Sequence, residues 1–310
     1  MAVLYRYGVK TIMNVDLHLH TIYSDGSETP EAIVHRAKNM GFDIISITDH
    51  DGIGGVEDAI REGRRIGIKV IPGIELSAEH ITALPGHAEN RYFMHILGYG
   101  IDIEYAPLIE RLNSVLERRS FRNRQIIDEF KKKGIVITEE ELMESTPNLF
   151  IGKVSFAKIL LHRGYVSSVD EAFESEEFLA SKAIKSIRKD KIPAREAIDL
   201  IHGAGGKVFF AHPYQLTYLE RFKDDEKVYN KKLRLILTEF KFMGLDGIEC
   251  GYPTHSAQER DYILGITDEL GLLCSRGSDD HGPGIRAVKN MGRMQAEIPA
   301  DRLDYLGKIW

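Results

Sequence analysis

The chain has 310 residues, a length that allows one large α/β domain or a domain with an insert. Its hydrophobic share of 43% and charged share of 28% are ordinary for a soluble enzyme and give no sign of disorder. The net charge of −6 argues against a protein that binds long duplex nucleic acid through its general surface, because such affinity comes mainly from Lys and Arg.

The sequence shows no membrane segment and no redox motif. No run reaches the roughly 20 apolar residues that cross a bilayer, and the start MAVLYRYGVK lacks the apolar stretch of a secretory signal. We therefore expect a cytoplasmic protein without a membrane partner. Cys250 and Cys274 each lie in an apolar run typical of a strand, which favours buried reduced thiols over a disulfide.

The first third alternates short β-branched runs with helical patterns, which indicates βα units and a mostly parallel sheet or barrel. In chain order these are a strand over residues 12–19, a helix that begins with Thr29 and Pro30 and ends at Gly41, a strand over 43–48, a helix over 56–66, and strands over 69–74 and 92–99. Capping residues and a terminal glycine mark the first helix.

Strand patterns then disappear, and long charged helices replace them, one opened by Thr138 with Glu141 as its capping box. We interpret residues 104–192 as a helical insert between two parts of a barrel, 1–103 and 193–310. The stretch from Arg111 to Lys133 holds eight Lys or Arg against three Asp or Glu, a basic patch suited to a small anion.

The βα rhythm returns after the insert. The sequence predicts a helix over 193–204 and strands over 207–211, 246–250 and 272–275, with a helix between the last two. That helix opens at Ser256, and Glu259 completes a capping box.

Histidines and acids recur where predicted strands end. In Asp16-Leu17-His18-Leu19-His20, strand alternation puts both imidazoles on one side. Residues at which barrel strands exit toward their helices form the active-site face. Further segments of this kind are Thr48-Asp49-His50-Asp51, Gly73-Ile74-Glu75, the strand containing His95, Ala211-His212-Pro213 and Gly277-Ser278-Asp279-Asp280-His281.

Taken singly, each position has a structural interpretation. A lone histidine such as His95 is more often a hydrogen-bonded structural residue, and Asp25 alone would be a turn residue. Two carboxylates at about 4 Å repel by about 4 kcal/mol at an effective dielectric near 20, so bringing Asp25, Glu75 and Asp279 together needs cations or protons. Imidazole and carboxylate ligands without thiolate suit Mn²⁺, Fe²⁺ or Zn²⁺.

Together these motifs resemble those of the PHP (polymerase and histidinol phosphatase) family over nearly the whole chain. The segments that carry the resemblance are, in order, His18-x-His20 with Ser24-Asp25-Gly26, Thr48-Asp49-His50-Asp51, Pro72-Gly73-Ile74-Glu75, His95-Ile96-Leu97-Gly98, Ala211-His212-Pro213 and Gly277-Ser278-Asp279-Asp280-His281. The resemblance implies an α/β fold, a distorted seven-stranded βα barrel, with the helical insert as a substrate cap over its mouth.

The resemblance also implies a trinuclear metal centre, with Mn²⁺ expected first and Fe²⁺ or Zn²⁺ as alternatives. By matching motifs, one metal is held by His18, His20, Glu75 and Asp279; a second, bridged by Glu75, is held by His95 and His212; and the third is held by Asp25, His50 and His281. The chain looks most like the standalone phosphoesterases that act on nucleoside 3′,5′-bisphosphates and short oligonucleotides.

The expected reaction is attack on phosphorus by a hydroxide that bridges two metals, since metal binding lowers the pKa of water from 15.7 to about 7. Arg118 and Arg122 lie one helical turn apart and can fork a phosphate, although a solvated charged face is the alternative. His255 can contact phosphate or protonate the leaving group, or it is a loop histidine beside the Ser256 cap.

Three other functions stay open. The same metals can serve a diesterase that acts on a sugar 1,2-cyclic phosphate, or the chain can be a non-catalytic metal-binding accessory module. Hydrolysis of an amide is the third, because metal-bound hydroxide also attacks carbonyl carbon. The basic insert favours a small phosphorylated substrate, most simply a nucleotide or short oligonucleotide, and no obligatory protein partner is evident.

Overall fold

The computed structural model describes residues 2–6, 9–81, 91–146, 150–187, 191–216, 219, 222–283, 290–292 and 297–306, with the backbone alone for residues 2–6 and 9–12. The chain forms two compact units. We call Met1–Ile109 with Ile192–Trp310 the sheet unit, and Glu110–Lys191 the helical unit. No described helix is long and apolar enough to span a bilayer.

The elements before the helical unit are β1 (Ala2–Arg6), β2 (Val9–Met13), β3 (Val15–Leu19), α1 (Pro30–Asn39), β4 (Ile44–Ile47), α2 (Val56–Ile66), β5 (Lys69–Ile81) and β6 (Arg91–Tyr99). Helix α3 (Ala106–Lys132) leads into the helical unit, which continues with α4 (Glu139–Ser145), α5 (Lys153–His162), α6 (Val169–Glu174) and α7 (Lys182–Ser186). The sheet unit resumes with β7 (Ile192–Pro193), α8 (Ala194–Gly203), β8 (Lys207–Phe210), α9 (Glu226–Phe242), β9 (Gly247–Gly251), α10 (Ala257–Leu270) and β10 (Leu273–Arg276).

The main sheet has eight strands in the order β10-β9-β8-β6-β5-β4-β3, with β7 paired to β5 beside this path. Neighbours run parallel except for β6, which is antiparallel to both β5 and β8. Beyond β10, an isolated bridge joins Asp280 to Leu19 at the end of β3. The predicted α/β class with a mostly parallel sheet is confirmed.

Capping explains why the helices begin and end where the sequence predicts. Thr29 accepts a hydrogen bond from the amide of Ala32, and Pro30 takes the first turn of α1. In α10, Ser256 and Glu259 form both bonds of the predicted capping box. The helix then ends at Gly271, whose φ of 60° is left-handed, a conformation that costs glycine little.

Strand β5 differs from its prediction, because it continues past residue 74 to Ile81 and pairs antiparallel with β6. Its second half carries Glu75, Ser77 and Glu79, polar residues with little strand preference, so the pattern alone ended the strand too early. In this second half of β5, the backbone N–H and C=O groups pair with those of β6.

Other departures are local. The strand predicted over 12–19 is interrupted at Asn14, and the β1–β2 hairpin and helix α9 were not predicted. At the start of α4, Thr138 accepts from the amide of Glu141, as predicted, but the Glu141 carboxylate pairs with Arg163 instead of closing the capping box. The two cysteines are buried and free, as predicted.

Each unit has its own apolar core. In the sheet unit, side chains of β3, β4, α1 and α2 pack together around Leu19, Ile33 and Ile45. In the helical unit, Phe130 and Phe156 lie at the centre of a cluster that extends to Ile184. The burial of these large side chains stabilises each unit by about 1.5–3 kcal/mol per residue.

Candidate metal centre

Strand β3 and the residue that follows it present His18 and His20 on one side, while Leu17 and Leu19 enter the core on the other, as strand alternation predicts. Both imidazoles are fully buried. His18 Nε2 lies 3.3 Å from Glu75 Oε1 and 3.7 Å from Asp279 Oδ1. His20 Nε2 lies 3.4 Å from Glu75 Oε2 and 3.1 Å from Asp279 Oδ1.

Glu75 is the centre of the cluster. Its fully buried carboxylate lies between 2.8 and 3.4 Å from five imidazole rings. Besides His18 and His20, these belong to His50 with Nδ1 at 2.8 Å, His95 with Nδ1 at 2.9 Å and His212 with Nε2 at 3.1 Å. One carboxylate thus contacts five histidines from four separate segments of the chain.

A third group gathers around Asp25. Its Oδ1 lies 3.2 Å from His281 Nε2 and 3.9 Å from both His20 Nδ1 and His50 Nε2. The structure therefore brings together all nine residues that the resemblance implies as ligands: His18, His20, Asp25, His50, Glu75, His95, His212, Asp279 and His281.

Three sets of donor atoms converge within 4.8 Å: His20, Asp25, His50 and His281; His18, His20 and Asp279; and His50, Glu75 and His95. These sets share residues that the implied assignment gives to separate metals. His20 belongs to two sets, and His50 lies against Glu75 as well as near Asp25. The residues thus form one continuous cluster.

The backbone is strained at this cluster. Among the described non-glycine residues, positive φ angles occur at Asp51 (52°), His212 (26°) and Asp279 (52°). Such conformations cost about 1–3 kcal/mol each and concentrate at functional sites. A hydrogen bond that involves a side chain holds each of the three. Asp51 accepts from Ser77 N at 2.7 Å, and Asp279 accepts from Tyr252 Oη at 2.7 Å. The backbone amide of His212 donates to the Glu249 carboxylate at 2.8 Å.

The donor atoms fit divalent ions. His18 Nε2, His20 Nε2, His281 Nε2 and Glu75 Oε2 are buried, and none makes a hydrogen bond of acceptable geometry to a described residue. Buried polar atoms rarely stay unsatisfied, because the desolvation cost is large. Ligands at about 2.0–2.2 Å from a shared ion lie about 3 Å apart. The nitrogen-to-oxygen distances of His18 and His20 are close to that spacing.

Burial and neighbouring charges keep Glu75, His20 and His95 in the protonation states that bind metal. Burial raises the pKa of Glu75, but His50 and His95 oppose it and hold that pKa well below its ordinary value. Burial, with His281 and His50, lowers the pKa of His20 to about 3. Burial also lowers the pKa of His95 to about 4. Ionised carboxylates and neutral imidazoles are the forms that bind metal.

His18 is the exception among these histidines. Burial lowers its pKa, but Glu75, Glu249 and Asp279 outweigh burial and raise it well above the ordinary value. The carboxylates around His18 thus favour a positive charge at its ring, which a metal ion can supply in place of the proton.

Sequence reasoning missed the residues that support the cluster. Glu249 lies 2.9 Å from His18 Nδ1, and Tyr252 binds Asp279. Asp49 accepts from the amide and hydroxyl of Thr21 and from Ser24, next to Asp25. Glu249 had a signal, because an acid inside the apolar strand Gly247–Gly251 is a buried polar residue that needs a partner.

The predicted phosphate-binding arginines differ in burial. On α3, Arg118 is exposed, whereas Arg122 is buried and donates to Asn123 Oδ1 at 3.1 Å. Arg119, which was not predicted, is also buried and places its guanidinium 3.7 Å from the Phe150 ring centroid. Burial, Arg122 and Lys185 together lower the pKa of Lys153. The helical unit therefore contains a cluster of cations, Arg122, Lys153 and Lys185.

His255 is 1% exposed and packs between the rings of Tyr214 and Tyr252. Its Nδ1 lies 3.3 Å from Cys250 O, and its Nε2 is buried without a hydrogen-bond partner among the described residues. Burial lowers its pKa to about 4. The imidazole is therefore neutral at pH 7, and its one proton lies on Nδ1, because a carbonyl oxygen only accepts.

Comparison with known proteins supports these observations. The PHP domain profile matches residues 16–244. The 5′-3′ exoribonuclease Rnm of Escherichia coli (strain K12) is 32% identical over 86% of this chain and 85% of its own length. A 3′,5′-nucleoside bisphosphate phosphatase of Chromobacterium violaceum is 30% identical over 87% and 88%, respectively. A phosphoribosyl 1,2-cyclic phosphate 1,2-diphosphodiesterase of Eggerthella lenta is 29% identical over 86% and 94%.

Among solved structures, an amidohydrolase of Chromobacterium violaceum with bound sulfate and no metal superposes with a TM-score of 0.75 and 29% identity. The match covers 96% of this chain and 95% of that one. The profile match and the full-length relatives confirm the resemblance that the motifs carry. The chain belongs to the PHP domain family.

Proposed function

We propose that the protein is a metal-dependent phosphoesterase that hydrolyses a phosphate ester of a nucleotide, either a nucleoside 3′,5′-bisphosphate or a short oligonucleotide. The observation that carries this proposal is the contact of one buried carboxylate, Glu75, with five histidines, beside Asp25 and Asp279. The relatives named as a nucleoside bisphosphate phosphatase and an exoribonuclease support the substrate class.

Divalent metal ions supply a water nucleophile at neutral pH and neutralise the phosphoryl oxygens when they are bound. We assign three positions, held as the matching motifs imply: the first by His18, His20, Glu75 and Asp279; the second by Glu75, His95 and His212; and the third by Asp25, His50 and His281. Mn²⁺ is the first choice, with Fe²⁺ and Zn²⁺ as alternatives. The proposed frame is the distorted seven-stranded barrel of the family.

The chain's own residues orient these groups and bind the substrate. Tyr252 fixes Asp279 so that Oδ1 faces His18 and His20. We assign His255 to the substrate phosphate: because its Nδ1 proton goes to Cys250 O, Nε2 is the ring nitrogen left for the substrate, and it donates to a phosphate oxygen or to the leaving group only when it is protonated. In the helical unit, Arg118 and Arg122 bind a substrate phosphate. Arg122 contributes most, because it is buried and a buried charge is poorly screened. The half-buried Lys153 adds to the positive charge there. The cap role of that unit and the cytoplasmic location stay predictions.

Four substrates distinguish the candidate functions: a nucleoside 3′,5′-bisphosphate, a short oligoribonucleotide, a sugar 1,2-cyclic phosphate and a small amide. Each is incubated with metal-loaded protein, with chelated protein as the control. Release of phosphate or nucleotide from the first two supports the proposal. Turnover of the cyclic phosphate alone favours the diesterase, to which the E. lenta relative is similar.

Two further outcomes overturn the proposal. Turnover of the amide alone identifies an amide hydrolase. Bound metal without turnover of any of the four substrates identifies an accessory module.

A further inference from the structure

Glu249 lies in the middle of β9, and its side chain is fully buried. Both carboxylate oxygens are hydrogen-bonded: Oε1 lies 2.9 Å from His18 Nδ1, and Oε2 accepts from the backbone amide of His212 at 2.8 Å. Within the described part of the chain, no Lys or Arg forms an ion pair with it. A buried carboxylate is costly without compensation, so these two contacts are what hold it in place.

The contact with His18 selects the ring nitrogen that faces the cluster. A carboxylate only accepts hydrogen bonds, so Nδ1 must carry the proton that it shares with Glu249. This leaves the lone pair of the neutral ring on Nε2, the atom 3.3 Å from Glu75 and 3.7 Å from Asp279. A carboxylate behind a ligating histidine commonly fixes the tautomer and ring orientation in metal sites.

The contact with His212 acts on the backbone. His212 has a φ of 26°, a strained conformation for a non-glycine residue, and Pro213 follows it. The bond from its amide to Glu249 stabilises this conformation, which places Nε2 3.1 Å from Glu75 Oε1. The same glutamate therefore supports two ligands from different strands.

These two ligands belong to different metal positions. His18 is assigned to the first and His212 to the second, whereas Asp25, His50 and His281 of the third have no hydrogen bond to Glu249 among the contacts that the structure describes. We propose that Glu249 is a positioning residue that sets the tautomer of His18 and the backbone of His212, and so governs two of the three metal positions. This inference rests on the proposed metal-dependent function.

The chain offers a matched control. His80 Nε2 lies 2.9 Å from Glu239 Oε1, the same residue types at the same distance, in the same unit. Both side chains are partly exposed, and neither belongs to the cluster. Glu239→Gln therefore perturbs a histidine–glutamate pair without touching the metal centre.

Glu249→Gln keeps the shape of the side chain but replaces one acceptor with a donor. If the amide oxygen accepts from His212, the amide nitrogen faces His18 and favours the tautomer protonated at Nε2, which cannot ligate. If the amide is turned round, it loses the bond to His212. Loss of a partner behind a metal ligand typically weakens metal affinity by about 10–100-fold.

Metal content is measured by elemental analysis after loading and desalting. We expect about three ions in the wild type and in Glu239→Gln, and about one in Glu249→Gln, with circular dichroism confirming the fold. Equal content in folded Glu249→Gln and the wild type overturns the inference. A wild type that binds no metal instead overturns the proposed function.

A second measurement needs no variant, in case Glu249→Gln does not fold. In the Zn²⁺-loaded wild type with ¹⁵N-labelled histidine, ¹H–¹⁵N spectra are expected to show His18 protonated at Nδ1 and ligated through Nε2, with the Nδ1 proton protected from exchange. Ligation through Nδ1, or rapid exchange of its proton, contradicts the assigned role. In folded Glu249→Gln the protected Nδ1 signal is expected to disappear, an effect that loss of stability alone does not produce.

Discussion

The metal centre and the cation cluster of the helical unit both concentrate like charges, but they do so by different means. At the centre, Asp25, Glu75 and Asp279 are interleaved with histidines on strand ends, and a side-chain hydrogen bond from Tyr252 holds the strained residue Asp279. In the helical unit the positive charges lie on helices, and burial together with the charges of Arg122 and Lys185 lowers the pKa of Lys153. Under the proposed function, the ligand of opposite charge is a metal cation in the first region and a substrate phosphate in the second.

The largest effect is expected from removing histidines of the metal centre. His18→Ala combined with His20→Ala removes the two imidazoles at the end of β3, and we expect kcat to fall by about 10³-fold or more. Turnover and metal content are measured together. His35→Ala is the control, because His35 lies half-exposed on α1. Turnover and metal content that both survive in the double variant would rule out the metal centre.

Metal removal is the next test. Each ion present at 100 times its dissociation constant stabilises the native state by about 2.7 kcal/mol, so chelation is expected to lower the melting temperature by about 5 °C for every ion removed. Hydrogen exchange should quicken in β3 and β5 and stay unchanged around Phe130 and Phe156 in the helical unit. A uniform increase throughout both units would show that the regions are not energetically separate.

For the cation cluster of the helical unit, Arg122→Ala is expected to lower kcat/KM for the nucleotide about tenfold, since a hydrogen bond to a charged group is worth about 1.5–3 kcal/mol. Arg118→Ala should have a smaller effect, because Arg118 is exposed. Arg124→Ala is the control, since Arg124 lies exposed on the same helix near Glu139. Equal losses in all three variants would point to a general charge effect.

The smallest effect is expected at Asp246, a carboxylate whose hydrogen-bond partners are residues of the protein itself and not a bound ligand. Asp246 accepts from Val208 N, Lys207 Nζ and His202 Nε2. Burial raises its pKa, but these contacts outweigh burial and lower it. Because the folded pKa lies below the unfolded value of about 3.9, the stabilisation is complete above that value and is lost as the pH falls through the folded pKa.

Asp246→Asn is accordingly expected to cost about 1 kcal/mol at pH 7 and almost nothing at acid pH below the folded pKa. Denaturant unfolding at several pH values checks this difference, and neither metal content nor turnover should change. A penalty that stays constant with pH would mean that the charge of Asp246 is not what stabilises.

The sequence allowed the prediction of the family, the hydrolase class and much of the fold, because local rules determine them. Alternation in β3 puts His18 and His20 on one side, and capping at Thr29 and Ser256 marks helix starts. The support behind the ligands was not predicted, because the contact between Glu249 and His18 joins residues 231 positions apart. Helical spacing paired Arg118 with Arg122, but only packing decides which one is buried.

Strand β6 runs against both neighbours in the described sheet, and His95 lies within it, paired with Ser77 of β5. His95 is thus placed by hairpin register, and a slip of one residue would turn its ring to the opposite face. Insertions or deletions between Ile81 and Arg91 leave the imidazole in place as long as the ladder keeps its alignment. Relatives can therefore diverge in length at this connection while retaining a histidine at the same place in the sheet.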